Sequence, residues 1–179
     1  MARQYRWFLG FLLVTFISVL WIGTDPFSQP SSAAPSPSFT DPNNQYSIAL
    51  LEGFKAHLIA GKSIFESPDG EVAYSVIVSP TLSNSTLTDA ALAQIAQVTF
   101  QQGEGFAANN FQSLNSGGIK IEWTGQVTTR KTQPLSGAIF VRQFDDSVFL
   151  LMLAATEAGQ QVFAEAIATL PASLKPLPQ

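Results

Sequence analysis

Residues 137–156 read GAIFVRQFDDSVFLLMLAAT, two apolar runs, 138–141 and 148–155, on either side of the polar centre Gln143-Phe144-Asp145-Asp146-Ser147. Both runs are rich in Ile, Val, Phe and Leu, and Asp-Asp suits the tight turn that joins antiparallel strands. The second run does not alternate, since Val148, Phe149, Leu150, Leu151, Met152 and Leu153 are all apolar. A strand with one wet face alternates, so both faces of this one are expected to be covered. The stretch therefore predicts the central hairpin of an antiparallel sheet with helices packed on it.

The flanking segments extend that sheet. Ile119, Ile121, Trp123 and Val127 alternate with Lys120, Glu122, Thr124, Gln126 and Thr128, which predicts a half-exposed strand nearer a sheet edge. Arg130 to Ser136, with Pro134, reads as the turn between that strand and the hairpin. Upstream, Tyr46 to Leu50 alternates like a strand, and residues 56–65 give a weaker signal interrupted by Gly61. Ser67-Pro68-Asp69-Gly70 is a β-turn, followed by a strand with Val72, Tyr74, Val76 and Val78 on one face. A first helix is expected after Thr86 as N-cap, with Asp89 in its first turn and Leu87, Ala91, Ile95 and Val98 on one face, Leu92 beside them. Residues 104–118 read as a polar connection pinned by Phe106 and Phe111. A second helix is expected from Thr156 or Ala158 to before Pro171, with Val162, Phe163, Ala166, Ile167 and Leu170 as its apolar stripe. No internal repeats occur. The order predicts an α+β fold, an antiparallel β-sheet with helices on both faces in an α/β/α sandwich.

The N-terminus carries an address. Arg3 and Arg6 precede residues 7–24, which hold no charge, and Asp25 follows. That order keeps the N-terminus inside and exports the rest. A small-x-small site at Ser31-Ser32-Ala33 lies some way beyond the apolar run, so 1–24 is either a cleaved signal peptide or a retained membrane anchor. Residues 25–44, with Pro26, Pro30, Pro35, Pro37 and Pro42 among serines and alanines, read as a linker. Residues 45–175 read as one domain and 176–179 as a tail. There is no cysteine, hence no lipoprotein attachment site and no disulfide framework. The net charge of −4 speaks against nucleic acid and anionic lipid surfaces as partners.

Chemistry is sparse. His57 is the single histidine, so the several nitrogen or sulfur ligands of a transition-metal site are missing. Asp145 and Asp146 could meet a calcium ion, but a hairpin turn explains them. No serine sits in a Gly-x-Ser-x-Gly elbow, and neither Gly103-Glu104-Gly105 nor Ser116-Gly117-Gly118 follows a strand and opens a helix as a phosphate loop does. Asn84-Ser85-Thr86 matches the glycosylation triplet. No catalytic, cofactor-binding or metal residue is nominated, and no cofactor is expected.

Tyr46-Ser47-Ile48-Ala49-Leu50-Leu51-Glu52-Gly53-Phe54 is similar to the opening strand of the PsbP family, the extrinsic lumenal proteins of photosystem II, and of the related DcrB-type domains. The resemblance continues through Phe65-Glu66-Ser67-Pro68-Asp69-Gly70, the mid-chain helix, the meander and a closing helix followed by Ser173-Leu174. It covers most of residues 45–175, with Leu51 standing where a proline is frequent. It implies the same α/β/α sandwich, and a non-enzymatic accessory or assembly protein on the lumenal or periplasmic side of a cyanobacterial or plastid-like membrane. The partner it implies is a membrane protein complex, with a photosynthetic complex among the candidates. The family's metal-contacting lysines, acids and histidines find no residue-by-residue match, so no site residue is carried over. A second reading is an extracytoplasmic small-ligand-binding domain, its pocket between the sheet and residues 104–118. A third, a hydrolase using His57, predicts loss of activity in His57→Ala.

Overall fold

The computed structural model describes residues 37–81, 85–128 and 131–178. The expected export segment, the Ser31-Ser32-Ala33 site, Asn84 of the glycosylation triplet and Arg130 lie outside them. Among the described residues no helix is long and apolar enough to cross a membrane.

A seven-stranded antiparallel sheet is built from β3 (Lys55–Ile59), β4 (Lys62–Glu66), β5 (Val72–Pro80), β6 (Ala107–Ser113), β7 (Ile119–Thr128), β8 (Thr132–Phe144) and β9 (Ser147–Ala155), in the order β3-β4-β5-β9-β8-β7-β6. The hairpin of residues 137–156 is β8 and β9, closed by Asp145-Asp146 with Phe144 opposite Ser147. β9 is the middle strand, paired with both β5 and β8. Its uninterrupted apolar run follows from that position: Phe149, Leu151, Leu153 and Ala155 join one core and Val148 and Leu150 the other. β7 lies one strand from the edge, with Ile119, Ile121 and Trp123 buried.

The helices α1 (Asp89–Phe100) and α2 (Gln160–Ser173) cover opposite faces. α1 packs Leu92 and Ala96 on Ile119, Ile121, Ile139 and Leu150. α2 packs Ala166 and Leu170 on Val72, Tyr74, Leu151 and Leu153, with Val162, Phe163 and Ile167 beside them as its periodicity indicates. A small sheet of β1 (Ser38–Thr40), β2 (Tyr46–Ala49) and β10 (Lys175–Pro176), in the order β1-β2-β10, adds Tyr46 and Ile48 to the α2 side. The fold is thus the expected α+β sandwich.

Several details differ from the sequence reading. The cap of α1 is Thr88, whose hydroxyl accepts from the Ala91 N–H at 3.3 Å, not Thr86. Of the expected stripe Leu92 is buried, with Ala96, and Leu87 and Ile95 pack beside them, but Val98 is 54% exposed. α2 runs through Pro171 to Ser173, because a proline in the last turn removes one ladder bond without ending the helix, and the Ser173 hydroxyl caps the Leu170 carbonyl at 2.9 Å. β8 starts at Thr132 and includes Pro134. Its pairing with β9 begins only at Ser136, so Pro134 sits where β8 has a single neighbour, β7. The 56–65 segment is two strands, β3 and β4, joined by Ala60-Gly61, both at positive φ. Folded structure also takes in Ser38–Thr40 from the stretch read as linker, and the Leu177 N–H bonds the Gln45 carbonyl at 3.0 Å. β1 is too short to show alternation, and Phe39 edge-on to Phe65 holds it, with centroids 4.9 Å apart.

Tyr46 and Tyr74 sit in the α2-side core, each 2% exposed. Burial pushes both phenols up to about 12, helped at Tyr46 by the Asp41 charge and at Tyr74, whose hydroxyl donates to the Ala49 carbonyl at 2.9 Å, by Tyr46. The folded state therefore holds both phenols neutral well past the unfolded value of about 10. Stability from this source is fully present below pH about 10 and is lost as pH rises toward about 12. Urea midpoints measured across that window should fall steeply. A midpoint that stays constant through it would show that neither phenol is buried.

Candidate functional site

α2 and the small sheet cover the β4-β5-β9 part of their face and stop at β8. Where the cover ends, a cleft of about 360 Å³ opens between α2 and the sheet. Its floor is Phe140 and Phe144 of β8 with Phe149 and Leu151 of β9. Strand alternation places these four on the α2 face, while Ile139, Val141, Val148 and Leu150 serve the other core. Phe144 and Phe149 stand edge to face, centroids 5.4 Å apart. The opposite wall comes from the last turns of α2 and the residue after it, through Ile167, Ala168, Pro171, Ala172 and Leu174.

The turn between β6 and β7 closes one end with Leu114 and Ser116. Gly118 allows this approach: it lies at φ +80°, and a Cβ there would fall 2.2 Å from the Val141 carbonyl oxygen. Arg142, two residues along the α2 face from Phe140, is held against the turn. Its Nη2 donates to the Ser116 hydroxyl at 2.8 Å and its Nε to the Gly117 carbonyl at 3.3 Å. Its guanidinium carbon lies 5.6 Å from the centre of the Phe144 ring. The cleft is thus an apolar trough with one cation and one hydroxyl at its rim. Such a trough can hold a ligand; it carries no nucleophile–base pair.

The residues weighed on sequence grounds do not converge on it. His57 lies on β3, exposed and distant in the sheet order from β8. Asp145 and Asp146 form the exposed hairpin turn, as the turn reading holds. Among the described residues no group of three or more His, Cys, Asp or Glu gathers that could hold a metal ion. Residues 104–118 are not a plain connection, since they contain edge strand β6 paired with β7, with a register shift between Ala108 and Phe111. Phe106 does anchor this segment, its ring 5.6 Å from that of Trp123. Phe111 does not, being 40% exposed. Of this segment only Leu114 and Ser116 reach the cleft. Arg142 was missed because its environment comes from a turn more than twenty residues away in sequence. The one signal available was a lone arginine inside an apolar run.

No family model matches the chain, and no curated protein matches it in sequence. Among solved structures it is similar to the cyanobacterial PsbP (CyanoP) of Synechocystis sp. PCC 6803, at a TM-score of 0.51 and 12% identity, over 85% of this chain and 99% of that one. It is also similar to a protein of Bacteroides thetaiotaomicron, at a TM-score of 0.53 and 10% identity, over 82% of this chain and 50% of the other. The Saccharomyces cerevisiae Ran-binding protein Mog1p matches at a TM-score of 0.51 and 11% identity, over 78% and 94% of the two chains. Identities this low speak to architecture alone, and the architecture is PsbP-like.

Proposed function

We propose that this chain is an exported, non-enzymatic accessory or assembly module that works by protein–protein contact on the lumenal or periplasmic side of a membrane. The positively led apolar segment at 7–24 supports the address, and the PsbP-like fold is consistent with it. Mog1p, of similar fold, is a Ran-binding protein, so this architecture is compatible with a role in contact. A photosynthetic membrane complex is the partner to seek first, on the likeness to cyanobacterial PsbP.

The observation that carries the proposal is β3. Among the described residues it is an edge strand, paired only with β4, and every one of its five residues is exposed. Leu58 and Ile59 are 64% and 41% exposed at the tip of the β3-β4 hairpin. Edge strands normally carry protection against pairing, and an apolar tip on a bare edge suits a partner's strand or groove. Tagged protein should capture a defined membrane complex from its own membranes. Replacing Leu58 and Ile59 together by lysine should reduce recovery at least tenfold and leave thermal stability unchanged, because both side chains are outside the core. Val98→Lys, on α1 and far from β3 in the sheet order, should recover the complex fully. Undiminished recovery by the lysine variant, or no complex from the native chain, would refute this reading.

A further inference from the structure

The geometry points to a second role: we propose that the cleft between α2 and β8 binds a single-tailed amphiphile with an anionic head, a fatty-acid carboxylate being the simplest member. The tail lies on Phe140, Phe144, Phe149 and Leu151, and the head meets Arg142 and Ser116.

Shape and lining select the tail. The volume of about 360 Å³ is at the small end of the range that holds discrete ligands, enough for one chain and too little for a two-chain lipid. Apart from Ser116 and Arg142 the lining is apolar, and it includes no aspartate or glutamate. Apolar surface of this kind gains free energy with each methylene it covers.

Charge selects the head. The chain as a whole is acidic, yet the charge lining this cleft is that of Arg142, a half-buried residue. Its polar and ring contacts among the described residues are neutral: the Gly117 carbonyl, the Ser116 hydroxyl oxygen and the face of Phe144. No carboxylate of the described residues pairs with it. A cation at an apolar rim with no carboxylate partner gains from an incoming anion, and the planar fork of arginine matches a carboxylate with two parallel hydrogen bonds. Ser116 accepts from Arg142 through its oxygen, which leaves the hydroxyl proton to donate to the same carboxylate. An uncharged head would forgo both interactions.

The site is independent of the β3 edge, which lies beyond β9, β5 and β4 in the sheet order. Either proposal can therefore fail alone. The test uses the full chain in its own membranes and a fatty acid carrying a photoactivatable diazirine in its tail. Peptide mapping should place the label on the peptides containing Phe140 to Leu151 and Ile167 to Leu174. Dodecanoate should compete with that labelling, and dodecanol should compete at least tenfold less well, as expected for loss of a charged hydrogen-bonded pair. Arg142→Gln should lose the preference for dodecanoate, and Arg142→Lys should retain most of it. Ala168→Trp, placed on the exposed side of α2, should block the labelling of these peptides while the domain melts as before. Label absent from these peptides, equal competition by the alcohol, or labelling unchanged in both Arg142→Gln and Ala168→Trp would overturn the proposal.

Discussion

Gly137→Ala should destabilise the domain by about 3–5 kcal/mol, a combination of overpacking and a compromised buried hydrogen bond. The reason lies in the register. Gly137 of β8 stands between Trp123 of β7 and Ala154 of β9. The Trp123 indole crosses over it, and its Nε1–H donates to the Leu153 carbonyl at 3.2 Å. A Cβ on residue 137 would fall 2.1 Å from that carbonyl oxygen and 2.4 Å from the indole nitrogen. The side chain can swing away only by breaking its hydrogen bond and leaving the α1-side core. The carbonyl can move only by parting β8 from β9 at the centre of the sheet. Urea unfolding measures the loss directly. Trp123→Phe in the same chain should make the glycine substitution cheaper by a part of its cost, since the indole conflict is removed and the backbone conflict stays. A loss below about 1 kcal/mol would show that the indole does not cross Gly137.

Phe65→Ala should cost a similar amount, about 3–5 kcal/mol, through the cavity it leaves. Phe65 is fully buried. Its ring stacks on Tyr74, with centroids 4.5 Å apart and planes 11° from parallel, and meets the edge of Phe39. Tyr74 belongs to the large sheet and Phe39 to the small one, so this ring couples the two. Its removal should do more than lower the midpoint. Hydrogen exchange should quicken first in β1 and β2 and at the Leu50 amide just after β2, which bonds the Pro37 carbonyl at 2.7 Å, while β7 and β8 keep their protection. Phe111→Ala offers the contrast, since the partly exposed ring on β6 should change stability by less than about 0.5 kcal/mol. Uniform loss of protection across both sheets would mean that the small sheet is not a separately coupled unit.

These two sites also mark what could be read from the chain alone. The β8-β9 hairpin was legible because β9 is covered on both faces, and double burial writes itself as an unbroken apolar run. β7 was legible for the opposite reason, one dry face and one wet face. β6 was not, because an exposed edge strand with a shifted register places no demand on its residues. Ala107, Asn109 and Asn110 look like any loop. Most of the α1 stripe was legible, with Leu92 buried and Leu87 and Ile95 packed beside it, while Val98 is exposed; the cap was not, since Thr86 and Thr88 are both competent caps. The cleft was hidden more completely. Its floor residues were already assigned to a hairpin, its wall to a helix stripe and its rim to a connection. Only the place where α2 stops short of covering β8 turns them into one surface, and that follows from packing across the whole sheet.

The side of the membrane on which the domain stands tests the contact module most directly. The chain has no cysteine, so a single Asn109→Cys on the exposed edge strand β6, away from the β3 tip, reports without background. Membrane vesicles sealed with the cytoplasmic face outward are treated with a membrane-impermeant maleimide. An extracytoplasmic domain leaves the thiol unlabelled until the vesicles are opened and gives full labelling afterwards. Full labelling in sealed vesicles would place the domain on the cytoplasmic side and contradict the proposed function.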